Sequence, residues 1–92
     1  MLQINRFEFT LNIGKAQRTV QIRGNGGNLG DGCAYLTDGD KIDKAAKSLL
    51  GKARAELRRT GELHVGFPIP EVLVTTAENP INIVDCYPVF EP

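Results

Sequence analysis

The chain has 92 residues, 41% of them hydrophobic and 24% charged; this is the balance of a folded globular protein and not of a disordered chain. A domain of this length buries about 60% of the surface its unfolded chain exposes, which suits one sheet packed on one helix, residues 1–92 as a single domain, and excludes a two-lobed enzyme with a deep cleft. Net charge is zero, yet residues 1–59 hold all eleven bases and six acids (net +5), whereas residues 60–92 hold five acids and no Lys or Arg (net −5), a dipole along the sequence.

In chain order, Leu2 and Ile4 share one parity, and Phe7, Phe9, Leu11 and Ile13 continue with period two in the other. The slip at Asn5-Arg6 predicts a bulge or bend inside one strand, because a one-residue shift moves every side chain to the opposite face. Gly14–Gln17 reads as a turn and Arg18–Arg23 as the returning strand of a β-hairpin. Residues 24–33, GNGGNLGDGC, have five glycines in ten; their backbone entropy predicts a long loop and no helix or central strand.

Asp40 is placed to cap a helix, with Asp43 three residues on. Ile42, Ala45, Ala46, Leu49, Leu50, Ala53 and Leu57 then follow at helical spacing and form a core-facing stripe, and Gly61 is placed to end the helix. Leu63, Val65, Phe67 and Ile69 alternate as a strand interrupted by Pro68 and Pro70, which predicts an edge strand or a stop at the kink. Residues 72–76 and 81–87 are expected to pair as a last hairpin through Ala77-Glu78-Asn79-Pro80. The expected fold is α+β: an antiparallel sheet of about four to five strands with one helix on one face, in the order β-β-loop-α-β-β.

Seven of the eleven bases lie on the helix: Lys41, Lys44, Lys47, Lys52, Arg54, Arg58 and Arg59. On a helical projection Lys44, Lys47, Arg54 and Arg58 cluster opposite the apolar stripe. Gly51 sits among them, where a larger residue would favour the helix and where a glycine admits a partner's backbone. Such a face serves solubility as a solvated surface, meets an anionic partner, or pairs within the molecule with the acidic C-terminal half. The glycine-rich stretch lacks both the P-loop and the dinucleotide spacing; it is a connector, or a loop that orders on a partner with Asn25, Asn28 and Asp31 as its polar contacts.

Asp38, Asp40 and Asp43 lack the calcium-loop spacing and are better explained by helix capping. His64, Cys33 and Cys86 show neither zinc-ligand spacing nor the signature of a nucleophile–base pair, so no metal, no cofactor, no small-molecule substrate and no catalysis are expected. Phe7 and Phe9 share the parity of Leu11 and Ile13 and belong to the core, not to a base-stacking platform. Two cysteines make no disulfide framework, and no signal peptide or long apolar run is present; a soluble cytoplasmic protein with packed, reduced thiols and no membrane partner is expected, with a single bond between Cys33 and Cys86 the alternative in an oxidising compartment.

A short chain with one helix on an antiparallel sheet, a strong charge partition, a long glycine loop and no catalytic constellation resembles the small phage-encoded anti-CRISPR proteins. In length and β-β-loop-α-β-β order it is most similar to inhibitors of the subtype I-F crRNA-guided surveillance complex. The resemblance implies a non-enzymatic inhibitor acting in the bacterial host cytoplasm, monomeric when free. Such an inhibitor binds the complex's protein subunits and crRNA and stops target DNA from binding or hybridising. Lys44, Lys47, Arg54 and Arg58 would then face guide phosphates, and Asn25, Asn28 and Asp31 would insert between subunits. The acidic C-terminal part would meet DNA-binding bases of the complex. Overall neutrality separates this chain from strongly acidic DNA mimics. Two other readings are open: a regulatory protein that binds free nucleic acid through the same helix face, and a homo-oligomeric phage structural accessory subunit whose proline-bearing edge strand joins a neighbour's sheet.

Overall fold

The computed structural model describes residues 3–22, 39–66 and 69–91. Their order is β1 (Gln3–Ile13), β2 (Ala16–Val20), α1 (Gly39–Thr60), β3 (Glu62–Val65), β4 (Glu71–Val74) and β5 (Ile81–Glu91). The fold is α+β, with a three-stranded antiparallel sheet β2-β1-β5, a two-stranded antiparallel sheet β3-β4 and the helix packed against them. The Ile22↔Val65 bridge and a hydrogen bond from Gly66 N–H to Gln21 O (2.9 Å) join the end of the β2 segment to β3.

Strand alternation builds the core. Phe7, Phe9 and Leu11 of β1 are fully buried, with Val20 across the ladder on one side, Ile83 and Cys86 on the other, and Ile22 in the same cluster. From the helix, Ile42, Ala46, Ala53 and Leu57 close over them, and Leu63 and Val65 of β3 complete the cluster. The parity slip at Asn5 is a real irregularity: β1 pairs Ile4 with Phe90 and Arg6 with Val89, leaving Asn5 as an extra residue. A second irregularity lies in β5, where Thr10 pairs with Asp85 but Leu11 pairs with Ile83, so Val84 is the extra residue.

The β1–β2 turn is tighter than the four residues expected, because Ile13 and Ala16 already pair. Gly14 has φ +59° and Lys15 a negative φ, the pattern of a two-residue turn with glycine first, whose twist matches the strands. The helix starts at Gly39, so Asp40 lies inside its first turn and favours the positive end of the helix dipole instead of preceding the helix as its cap. At the other end Gly61 takes φ +72° and donates its N–H to Leu57 O at 2.8 Å, the expected stop.

The pairing expected for the last two strands is overturned. β4 pairs with β3, with Leu63 opposite Leu73, and β5 pairs with β1 along its length. Residues 75–80 therefore cross between the two sheets. They are held by Thr75 N–H to Gly61 O (3.0 Å), Ile81 N–H to Thr75 Oγ1 (3.1 Å) and Gly14 N–H to Pro80 O (3.0 Å). The true hairpin lies earlier, between Val65 and Glu71, where Gly66 adopts φ +119°. The strand through Leu63 and Val65 ends there, as the prolines allow.

Candidate anionic-partner face of the helix

The helix presents two unlike faces. Its apolar stripe is committed to the core, with Ala45, Leu49 and Leu50 half-buried along its flanks. Lys41, Lys44, Lys47, Lys52 and Arg58 are exposed, and among the described residues none of them has a hydrogen-bonded or ion-paired acid. Arg59 is exposed but spends its guanidinium on Glu56 one turn back, with Nη2 at 2.8 Å from both carboxylate oxygens. Gly51 lies on the exposed face, and a Cβ built there meets no atom within 4 Å. Lys44, Lys47 and Arg58 thus flank an open position and span about 21 Å of helix axis at 1.5 Å per residue.

Arg54 behaves differently from the other three bases of the expected cluster. It lies about 60° around the helix from buried Leu57, close enough to the stripe for its side chain to reach β5. Nε and Nη2 donate to Ile83 O at 3.0 and 2.8 Å, and Nη2 lies 3.4 Å from Val84 O. A β-bulge leaves ladder groups unpaired, and the planar fork of an arginine is suited to collect two adjacent acceptors. The guanidinium is therefore engaged in pinning α1 to the bulge. The periodicity does carry a signal for this bulge, since Ile81 and Ile83 share a parity that Cys86 breaks.

Among the described residues, two of the five acids of residues 60–92, Glu62 and Asp85, lie on the side of the sheets away from the helix. Strand alternation turns Glu8, Asp85 and Glu62 to the outer faces of the sheets, opposite the faces that bury Phe7, Cys86 and Leu63 against the helix. Tyr87 O–H donates to Glu8 Oε2 at 3.1 Å on that outer surface, and the Asp85 carboxylate accepts the N–H of Cys86 at 2.8 Å. Glu71 is the exception, sharing the parity of Val65 and forming an ion pair with Arg18 of β2 across the two sheets.

His64 lies opposite in parity to Leu63 and Val65, as expected, with Nε2 3.9 Å from Glu62 Oε2 and both side chains half-exposed. Cys86 is buried in the core. Among the described residues no three His, Cys, Asp or Glu side chains gather as a metal site, and no helix is long and apolar enough to cross a membrane. Asn25, Asn28 and Asp31, the rest of residues 24–33 with Cys33, and also Tyr35, Asp38, Phe67 and Pro68, lie outside the described residues. The chain matches no protein-family model, no curated protein and no solved structure.

Proposed function

We propose that this protein acts by binding and not by catalysis, with the exposed face of α1 as its contact surface. Its partner in this reading is a CRISPR-Cas ribonucleoprotein surveillance complex in the bacterial cytoplasm. Lys44, Lys47 and Arg58 engage guide-RNA phosphates, and target DNA is kept from binding or hybridising. The observation that carries the reading is the exposure of these three bases, without acid partners among the described residues, on a rigid helix whose opposite face is fixed in the core. Phosphate contacts of this kind position a protein on nucleic acid without reading its sequence. The acids on the outer sheet faces give the molecule a second side, suited to basic protein subunits of the same assembly. The choice of this particular complex rests on the resemblance in size, element order and charge.

The test is capture of an assembled type I complex by the tagged protein, with and without nuclease. Retention of the complex in both arms, with loss of target-DNA binding, is the expected result. Recovery of nuclease-sensitive free nucleic acid alone would replace this reading with that of a regulatory nucleic-acid-binding protein.

A further inference from the structure

Among the described residues the second sheet has an open edge, and the ladder with β3 sets its backbone polarity. Among the described residues β3 is the one neighbour of β4, and Thr75 N–H donates to Gly61 O at 3.0 Å. Antiparallel ladders alternate between hydrogen-bonded and non-hydrogen-bonded pairs. Glu71, Leu73 and Thr75 therefore aim their N–H and C=O groups at β3, and Val72 and Val74 aim theirs away. The side chains of these same two valines are 48% and 54% exposed, on the face opposite buried Leu63. Edges are usually blunted by lysine, proline or a bulge, and Glu71–Val74 contains none of these.

We propose that this edge pairs with the same edge of a second copy of the chain, forming a two-fold antiparallel sheet of four strands. Opposed residues must lie on the same face, which leaves three symmetric registers. Centring on Val72 sets Val74 against Pro70, which has no N–H. Centring on Val74 sets Val72 against Thr76, whose N–H already donates to Asn79 O at 3.3 Å. Centring on Leu73 sets Val72 against the partner's Val74 and Val74 against the partner's Val72. Every outward N–H and C=O of the strand is then used, and the four valines form one apolar surface. Glu71, whose charge is already held by Arg18, meets the partner's Thr75, so no like charges oppose each other. Self-complementarity in both hydrogen bonding and side chains is what selects a second copy as the occupant. A four-residue edge buries less than the roughly 1,200 Å² of a stable interface, so the dimer forms in a concentration-dependent way.

Sedimentation velocity of the full chain from about 10 µM to about 1 mM is expected to show the mass rising from monomer towards dimer. Val74→Lys, on an exposed side chain, should weaken association at least tenfold while circular dichroism stays native. In a Cys33→Ser background, Val72→Cys mixed with Val74→Cys should give an oxidised cross-linked pair that neither gives alone, since these positions oppose each other at disulfide range. A chain that stays monomeric throughout, as expected for the free inhibitor, overturns the proposal. So does a dimer that Val74→Lys leaves intact, or one in which the mixed cysteines do not cross-link.

Discussion

Arg54 of the helix donates two hydrogen bonds to the carbonyl oxygen of Ile83, at 3.0 and 2.8 Å, beside the extra residue Val84. This contact joins α1 to β5 at the point where the ladder with β1 is interrupted, and it removes one base from the face left for a partner. Arg54→Ala strands that carbonyl at a partly buried site and is expected to cost about 1.5–3 kcal/mol, the range for a hydrogen bond to a charged group. Urea titration should show a lower midpoint at unchanged slope. Arg54→Lys should recover only part of the stability, because a point ammonium cannot reproduce the fork.

Gly51 is the converse case. Its Cβ position is open, so Gly51→Ala is expected to stabilise the exposed helix by about 0.5–1 kcal/mol. Gly51→Gln should also raise the melting temperature, and at the same time weaken partner binding by placing a long side chain between Lys44, Lys47 and Arg58. Higher stability with weaker binding separates a contact surface from a merely solvated face.

Two turn glycines should differ in sensitivity. Gly14 has φ +59°, and a Cβ there falls 2.9 Å from Asn79 Oδ1, the end of a side chain that can move. Gly14→Ala is therefore expected to cost about 1 kcal/mol. At Gly66, φ is +119° and a Cβ would overlap the Ile69 backbone carbonyl. Gly66→Ala should cost more than about 2 kcal/mol through backbone strain and a distorted hairpin. Thermal melts of the two variants give the comparison.

The Arg18–Glu71 ion pair links β2 to β4, but the two side chains are 45% and 40% exposed. Glu71→Gln is expected to cost less than about 1 kcal/mol, and less still at high salt. Denaturant midpoints at low and high ionic strength test this.

Local periodicity made much of the fold legible. The helix followed from Ile42 to Leu57 and its end from Gly61, and the bulge at Asn5 followed from one parity slip. Partner choice between strands was not legible. Asn79-Pro80 marks a change of direction, but nothing local says that the chain there crosses to pair Ile81 with Ile13. That pairing is set by burial of Ile83 and Cys86 against Leu11 and Phe9, far apart in sequence. The site was legible to the same degree. Helical angle placed Lys44, Lys47 and Arg58 on an exposed face, but angle alone does not distinguish Arg54, whose guanidinium is drawn to carbonyls freed by a bulge in another strand.

Contact between the exposed bases of α1 and an anionic ribonucleoprotein is the core of the proposed function. Its most direct test is the affinity of the wild type and of Lys44→Glu/Lys47→Glu for the assembled crRNA-guided complex, measured across a salt series. For the double variant the expected result is a native melting temperature, at least about tenfold weaker binding, and a salt dependence shallower by about one unit for each phosphate that the variant no longer neutralises. A folded double variant that binds and blocks target DNA as the wild type does would contradict it.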